Sequence, residues 1–277
     1  TYLWPSAKAN QIALYPNLTV TDPGWRALLR DVRFRRALSL GIDRDMINRV
    51  LFFGLAEPSN NAVLSQSPLF NVEYRTRWAD FDPAKANALL DEMGLTERRG
   101  DGVRLMPDGR PIEIIVEAPG ESTEEMDALD LIAETWREIG IGLYPKGSDR
   151  EVIRNRALAG SLVMTVFSGY DNGIPTGDMS PAERVPLDSS YLIGMAWGAY
   201  MDSHGKNGEP IDYPPVQSLM AAYKLWLDAT TPAARSAAWR DILSIHVDEV
   251  LTIGLVAEVR QPIAVKDSLV NVPERGL

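Results

Sequence analysis

The sequence of 277 residues contains no cysteine and only 2 histidines. The lack of cysteine excludes a disulfide, a thiolate metal site and a cysteine nucleophile, and two histidines leave little imidazole chemistry. A zinc site needs three or four protein ligands, yet no H-x-x-x-H pattern occurs. The phosphate-binding pattern G-x-x-x-x-G-K-[ST] is missing as well. We therefore expect neither a bound metal nor a cofactor.

Long apolar runs are also missing, and basic residues are scarce. No stretch approaches the length of a transmembrane helix. The 28 Lys and Arg residues face 38 Asp and Glu residues, and the resulting formal charge of -10 repels phosphate backbones and anionic lipids. These features predict no nucleic-acid partner and no membrane binding. The opening residues, TYLWPSAKANQ, lack an initiator methionine and a signal-peptide pattern, which indicates an excised or processed piece.

One stretch, SLVMTVFSGYDNGIPTGD at residues 161–178, passes abruptly from apolar residues to glycines, aromatics and acids. Its apolar first part is short and rich in β-branched residues, which predicts a buried strand. The glycines and Pro175 then predict a loop over Ser168–Asp178. Loops that leave strand ends in open α/β sheets often hold ligands, although this one could be merely a long connection. The candidate ligand-binding residues are Phe167, Ser168, Gly169, Tyr170, Asp171 and Asn172.

Strands and helices alternate ahead of that stretch. The apolar runs Ile112–Val116 and Ile141–Tyr144 predict strands, and helices are expected to start at the capping box Ser122–Glu125 and at Asp149. Right-handed crossovers in such a β-α-β-α-β series favour parallel strands covered by helices. The sequence therefore predicts an α/β fold with a mixed, largely parallel sheet flanked by helices.

Outside this series, Ile12–Val20 is apolar but contains a proline, which predicts an edge or domain-crossing strand. Trp226 and Trp239 lie on late predicted helices. They could serve an interaction module, but aromatics at helical spacing usually pack in a core. Further helices are expected to begin after Asp31, Asp43, Asp82, Tyr213 and Thr231.

Several charged and titratable residues have surroundings in the sequence that indicate a solvated or structural role. Arg33, Arg35 and Arg36 on the helix after Asp31 are interpreted as a solvated face. His204 lies in a polar segment and is expected to be solvated. His246 lies within a predicted helix with no nucleophile nearby, which favours a structural role over that of a base.

The loop after the buried strand carries the most chemistry. Its carboxylate, amides and hydroxyls beside Phe167 and Tyr170 suit the binding of a cationic or polyhydroxy solute. Asp171, Asp178 and Glu183 could instead be paired carboxylates of a hydrolase acting on glycosides or peptides, since that chemistry needs two acids at a suitable separation. Spacing in a loop does not show that separation.

Several segments together resemble one family, the extracellular solute-binding proteins of family 5, which serve ABC importers of peptides and related solutes. The most specific match is DVRFRRALSLGIDRDMINRVLFFGLAEP, Asp31–Pro58, which is similar to the family's D-x-R-V-R-x-A signature and the residues that follow it. FDPAKANALLDEMGL at residues 81–95 and LIAETWREIGIGL at residues 131–143 resemble later family elements. MTVFSGYDN at residues 164–172 lies where the family has a strand followed by ligand contacts.

The resemblance implies a periplasmic-binding-protein-like lobe of a two-lobed protein. Residues 1–11 would then cross from a missing N-terminal lobe, residues 12–265 would form the second, solute-binding lobe, and residues 266–277 would cross back. Such a protein is a binding component and not an enzyme. It would work with an ABC transporter permease in the periplasm or outside the cell, where a lipid anchor through the missing N-terminus is compatible with the family.

The resemblance also implies a role for one acid. Peptide-binding relatives place an Asp just past this strand to pair with the ligand's amino group. Asp171 is the nearest match, and an alignment shifted by one residue would put Tyr170 there. Phe167 replaces the usual Trp. The expected ligand is a small-molecule solute of the peptide, opine or oligosaccharide class.

Overall fold

Five strands form the central sheet of the computed structural model, which describes residues 1–120 and 122–273. These described residues form nine strands, ten α-helices and a short 3-10 helix at Ala182–Arg184. The strands are β1 (Tyr2–Pro5), β2 (Ala13–Pro16), β3 (Glu57–Pro58), β4 (Glu113–Pro119), β5 (Gly142–Ser148), β6 (Met164–Phe167), β7 (Ile253–Gly254), β8 (Val256–Ala257) and β9 (Arg260–Ile263). The helices are α1 (Pro23–Arg30), α2 (Val32–Leu40), α3 (Arg44–Phe52), α4 (Val72–Thr76), α5 (Pro83–Glu92), α6 (Thr123–Glu138), α7 (Arg150–Leu158), α8 (Met195–Asp202), α9 (Pro214–Asp228) and α10 (Pro232–Asp248).

The strand order in the central sheet is β5-β4-β6-β2-β7. β4 pairs in parallel with β5 and β6, whereas β2 pairs antiparallel with β6 and β7. Four strands therefore run in one direction, and β2 runs against them. The predicted α/β fold with a mixed, largely parallel sheet is confirmed. Because β4, β5 and β6 share a direction, their carboxyl ends lie at one edge of the sheet, and α6 and α7 begin at that edge.

β2 lies inside the sheet, so the prediction of an edge or crossing strand was wrong. Pro16 is the last residue of β2 and pairs with Met164 of β6. On the other side, β7 pairs only with Ala13 and Leu14. The missing N–H of the proline therefore lies beyond the end of β7, where it interrupts no bond of that ladder.

The predicted helix starts are confirmed, and all of them except that of α9 rest on a side-chain cap. A side-chain oxygen of the residue before the helix accepts a backbone N–H of its first turn, which satisfies a group that has no partner inside the helix. Eight described helices start with such a cap, among them α1 and α4. The six at predicted starts are Asp31 for α2, Asp43 for α3, Asp82 for α5, Ser122 for α6, Asp149 for α7 and Thr231 for α10. Proline at the first helical positions adds to the start of α5, α9 and α10.

The arginines of α2 do not form a solvated face, and this prediction was wrong for Arg35. Its side chain is 0% exposed and donates to the backbone oxygen of Glu249 at 2.8 Å. Arg36 donates to the backbone oxygen of Asp248 at 2.8 Å. Both acceptors stand at the carboxyl end of α10, where carbonyls lack partners within the helix and attract cations. Arg33 behaves as expected and bonds near the surface to Asp31.

The two late tryptophans pack in a satellite core, as expected. Trp239 is buried in a cluster with Leu243 and Tyr74, and the partly buried Trp226 packs against the same cluster. Their indole N–H groups donate to backbone oxygens of Met179 and Gly177, both at 2.7 Å. The tryptophans therefore hold the end of the loop that follows β6 against α9 and α10.

The N-terminal segment has two parts. β1 pairs antiparallel with β9 in a separate two-stranded sheet. Residues 7–11 then run along the loop after β6, and Asn10 lies at their centre with 0% of its surface exposed. Its side-chain amide donates to the oxygens of Ser59 and Asn60 and accepts the N–H groups of Leu255 and Val256. One side chain therefore bonds its own segment to two other pieces of backbone.

Within residues 1–120 and 122–273, no helix has both the length and the apolar character needed to cross a bilayer.

Asn10→Ala should lower the free energy of unfolding by about 2–4 kcal/mol, because it leaves buried N–H and C=O groups without partners. Denaturant unfolding monitored by tryptophan fluorescence measures the change. Asn155→Ala, on the exposed face of α7, is the matched control and should change stability by less than about 0.5 kcal/mol. Equal stability of the two variants would contradict the structural role of Asn10.

Candidate functional site

The candidate site lies at the sheet edge that the carboxyl ends of β4, β5 and β6 share, beside the end of β6. These strands end at Pro119, Ser148 and Phe167, and α6 and α7 begin a few residues after the first two. A cavity of about 470 Å³ opens beside the end of β6. Crevices at this edge of a parallel sheet are the usual ligand sites of open α/β folds. The cavity is lined by Tyr15, Phe167, Ser168, Gly169, Tyr170, Asp171, Ala182, Glu183, Val185, Leu187, Asp188, Ser190, Tyr191, Leu192 and Ile193.

Five of the six candidate ligand residues, those from Phe167 to Asp171, line this cavity. Asn172 lies outside the lining. Its side-chain oxygen accepts the N–H of Ile174 at 3.0 Å, and its amide nitrogen donates to the sulfur of Met179 at 3.3 Å. Asn172 therefore shapes the loop beyond the cavity.

The loop is held in place by close backbone contact with residues 7–10. The N–H of Gly169 donates to the oxygen of Asn10 at 3.0 Å, and the N–H of Gly173 donates to the oxygen of Ala7 at 2.8 Å. A Cβ atom on Gly169 would lie 2.4 Å from Oδ1 of Asn61, and one on Gly173 would lie 2.7 Å from the oxygen of Ala7. Both glycines are thus required by close approach.

Tyr170 forms a buried part of the wall. Its N–H donates to Oδ1 of Asn61 at 3.1 Å, and the guanidinium carbon of Arg184 lies 4.0 Å from the centre of its ring. Its hydroxyl lies 3.2 Å from Nδ1 of His246. Burial raises the pKa of Tyr170. The side chain is therefore neutral, and its hydroxyl is already bonded to His246.

His246 is a structural residue, as expected. Its Nε2 lies 2.7 Å from the backbone oxygen of Arg184 and must carry the proton there, so Nδ1 accepts the Tyr170 hydroxyl. Burial, and then the nearby charge of Arg184, lower its pKa from 6.5 to about 3. The imidazole is thus neutral and has both nitrogens occupied. His204 is exposed, in agreement with its predicted solvation.

Asp171 stands at the mouth of the cavity with 86% of its side chain exposed. Nζ of Lys8 lies 3.8 Å from its Oδ1 and also donates to Oγ of Ser168 at 3.0 Å. The backbone N–H of Asp171 donates to Oε1 of Glu183 at 2.6 Å. Two carboxylates therefore meet at this end of the cavity with one ammonium group, a setting that favours a cationic group of a ligand.

The acids considered for hydrolysis do not all share this cavity. Glu183 and Asp171 line it, whereas Asp178 lies outside the lining and pairs with Arg235 at 2.9 Å. Glu183 bonds to the backbone of Asp171, an arrangement that orders the loop.

A half-buried acid, Glu125, stands at the start of α6. Glu125 donates its backbone N–H to Oγ of Ser122 at 3.2 Å, so the first half of the predicted capping box is present. The second bond of a capping box would join the N–H of Ser122 to the side chain of Glu125. Here that N–H donates to the backbone oxygen of Pro119 instead. Oε2 of Glu125 has no hydrogen-bond partner among the described residues. Burial raises the pKa of Glu125 to about 7.

Sequence reasoning missed the opposite wall of the cavity. Apart from Glu183, the wall residues between positions 182 and 193 follow no helical or strand periodicity and match no motif. Tyr15 was missed for a different reason. It lines the cavity because β2 pairs with β6, and its hydroxyl donates to the oxygen of Ser168 at 2.8 Å. Only the strand order, which the sequence does not reveal, brings Tyr15 to this place.

Among the described residues, no group of three or more His, Asp or Glu side chains is arranged to hold a metal ion.

Comparison with known proteins gives consistent similarities. The family profile described as bacterial extracellular solute-binding proteins, family 5 Middle, matches residues 5–182. The nickel-binding periplasmic protein of Escherichia coli K12 is 21% identical over 248 residues, which are 90% of this chain and 44% of that protein. A putative ABC transporter peptide-binding protein of Brucella ovis is 25% identical over 221 residues, which are 78% of this chain and 36% of that protein.

Solved structures share the fold. An oligopeptide-binding protein, OppA, superposes with a TM-score of 0.83 at 28% identity and covers 99% of this chain and 45% of its own. MelB of Agrobacterium fabrum C58, solved in complex with stachyose, has a TM-score of 0.71 at 17% identity, with 93% of this chain and 39% of its own covered. The chain spans less than half the length of each of these relatives.

His246→Gln should weaken the acid sensitivity of folding. The pKa of His246 is lowered from 6.5 to about 3 in the folded protein. The neutral buried imidazole therefore contributes fully to the free energy of unfolding above pH 6.5, and this contribution is lost as the pH falls toward 3. Between pH 7 and pH 4 this loss is about 3 kcal/mol for the natural protein. Unfolding free energies measured across this range should fall less steeply for His246→Gln than for the control His204→Gln. Parallel pH profiles of the two variants would contradict the buried neutral imidazole.

Proposed function

The chain belongs to the bacterial extracellular solute-binding proteins of family 5, and on that premise we propose that it is the solute-holding lobe of the binding component of an ABC importer. The observation that carries the proposal is the cavity at the carboxyl end of β6, which is lined by Phe167–Asp171. Family 5 proteins bind solutes, and the structural neighbours named above are binding proteins. The proposed role is therefore recognition without catalysis.

The proposed division of the chain follows from its partial coverage of its relatives. Residues 1–11 would lead in from an N-terminal lobe of the same protein, residues 12–265 would form the second lobe, and residues 266–277 would lead back; the last four of these lie outside the described residues. The separate pairing of β1 with β9 supports this division, since two strands that cross between lobes can pair with each other. β9 ends at Ile263, so the return crossing would begin slightly earlier than residue 266.

Capture would proceed by closure of two lobes on the solute. The cavity of this lobe supplies one face, and the other lobe would cover it and exclude water. A solute that contacts both lobes stabilises the closed form by its differential affinity for that form. The transporter permease would then recognise the closed form in the periplasm or at the outer face of the cell.

The chemistry of the cavity limits the classes of solute that suit it. Asp171 and Glu183 favour a cationic group at the mouth, while Phe167 and Leu192 offer apolar surface. Relatives are named for oligopeptides and nickel, and MelB was solved with stachyose. These names support the peptide and oligosaccharide classes, and the opine class stays a proposal from the family resemblance. Of these classes, a peptide or opine with a free ammonium group fits the two carboxylates best.

A carboxylate-based hydrolase is the weaker alternative. Asp178 is paired with Arg235 outside the cavity lining, and Glu183 is bonded to the backbone of Asp171. Neither arrangement supports a separate acid and base. Turnover of a glycoside or peptide that is abolished by Glu183→Gln would favour the hydrolase over the binding protein.

In the full-length protein, Asp171→Asn should weaken binding of a cationic solute by about 2–5 kcal/mol, because closure would bury an ammonium group without its charged partner. Native mass spectrometry of the protein purified from its host identifies a copurified solute, and calorimetry then measures its affinity. Asp178→Asn removes the same charge outside the cavity lining and should leave the affinity unchanged. Equal affinities of the Asp171→Asn variant and the natural protein would refute the assignment of Asp171.

A further inference from the structure

Glu125 lies at the same edge of the sheet as the cavity and takes no part in the proposed capture of the solute. α6 begins a few residues after β4 ends, and Glu125 is in the first turn of this helix. Its Oε2 atom is buried and has no hydrogen-bond partner within residues 1–120 and 122–273. A carboxyl oxygen that has lost water without gaining a donor favours the protonated form of the acid. Burial raises the pKa of Glu125 to about 7, so both forms are present at neutral pH.

Charged groups from three elements act on the pKa of Glu125, although burial has the largest effect. Arg150 at the start of α7 lowers this pKa, Glu124 of α6 raises it, and Lys8 of the segment after β1 lowers it. Glu124 is held in place, because Nε2 of Gln11 donates to its Oε1 at 3.2 Å. Lys8 also bonds to the loop after β6, at the mouth of the cavity.

Lys8 lies between the mouth of the cavity and the start of α6. Its Nζ atom donates to Oγ of Ser168 at 3.0 Å and lies 3.8 Å from Oδ1 of Asp171. The backbone beside it is held, since the N–H of Ala9 donates to the oxygen of Tyr170 at 2.9 Å. The side chain of Lys8 is 43% exposed. Its ammonium group can therefore change position by rotation of the side chain while the backbone stays in place.

A cationic solute at Asp171 changes the surroundings of Lys8. Two cations beside one carboxylate repel each other, so the ammonium group of Lys8 leaves this position. Glu125 is a half-buried acid on which Lys8 already acts. A closer approach of the ammonium group stabilises the carboxylate form and lowers the pKa of Glu125, so a protonated Glu125 releases its proton to the solvent. One positive charge thus enters the site as another leaves it.

We infer that Lys8 and Glu125 couple the binding of a cationic solute to the release of a proton. The solute takes the place of the Lys8 ammonium group at Asp171, and that ammonium group then pairs with the carboxylate of Glu125. This inference rests on the proposed function and deepens it. Binding that releases a proton becomes tighter as the pH rises, until Glu125 is already ionised in the solute-free protein. The site therefore holds cationic solutes more tightly at pH 8 than at pH 6.

Two probes that differ in charge test the coupling by calorimetry on the full-length protein. The ammonium group of 3-phenylpropylamine has a pKa near that of lysine, about 10.4, and stays charged between pH 6 and pH 8. The second probe, 3-phenylpropan-1-ol, is neutral. Titrations at pH 7 in phosphate and in Tris, whose ionisation enthalpies differ, should show a release of about 0.5 proton with the amine and none with the alcohol. The amine should bind about tenfold more tightly at pH 8 than at pH 6, and the alcohol equally within about twofold.

Glu125→Gln should abolish the proton release and leave the affinity for the amine within about twofold between pH 6 and pH 8, because an amide does not titrate. Lys8→Met removes the ammonium group and should reduce the release although Glu125 is intact. This second variant separates coupling through Lys8 from a direct effect of the solute on Glu125. Cooperative unfolding transitions would verify that both variants fold.

Glu134→Gln is the matched control, because it removes the same charge from an exposed position on the same helix and should behave like the natural protein. Binding of the amine without proton release, or no binding of the amine, would overturn the coupling. A release that survives Lys8→Met would overturn the role of Lys8. The copurified solute separates this failure from that of the proposed function. If Asp171→Asn weakens its binding while the amine releases no proton, only the coupling is refuted. If the full-length protein binds neither the amine nor any solute, both proposals fail.

Discussion

Asn10 lies where its own segment meets three other pieces of backbone. Its amide bonds to the oxygens of Ser59 and Asn60 and to the N–H groups of Leu255 and Val256, and its backbone oxygen accepts the N–H of Gly169. All of these groups are remote from water, where an unpartnered amide is costly. The loop after β6 can therefore take only the course that satisfies them. The position of the cavity wall follows from this network.

A second buried polar network includes Tyr170 of the same cavity wall. Tyr170, His246 and Arg184 form a buried chain in which the hydroxyl, both imidazole nitrogens and a backbone oxygen are joined. Arg184 stacks on the Tyr170 ring and donates to the oxygen of Ala62 at 2.8 Å. The bonds of this chain favour one arrangement, because alternatives would leave further buried donors or acceptors empty, as Nη1 of Arg184 already is among the described residues. The buried part of the wall is thus held by several bonds, while Asp171 remains exposed at its end.

Features that depend on local chemistry could be predicted from the sequence. The caps at Asp82 and Ser122 act within one turn, and the strand ending at Phe167 is marked by its own composition. The burial of Arg35 was not predictable in this way, since it depends on the end of α10 more than two hundred positions later. The inner position of β2 depends likewise on strand order. The cavity lining was predicted on its β6 side, where a strand end and a motif coincide, and was missed along residues 182–193 apart from Glu183, where neither exists.

An acidic site without a ligand needs a counter-ion, and here the protein supplies its own. Nζ of Lys8 lies 3.8 Å from Asp171 and bonds to Ser168, two residues of the proposed ligand loop. A cationic solute at Asp171 would therefore displace the ammonium group of Lys8, which is part of the chain, and not a free salt ion. Its binding would be an exchange of one cation for another, with little net change in the charge of the site and only a weak dependence on ionic strength. The displaced Lys8 lies three positions after β1. A solute bound in the cavity would therefore first affect the segment that leads to the β1–β9 pair.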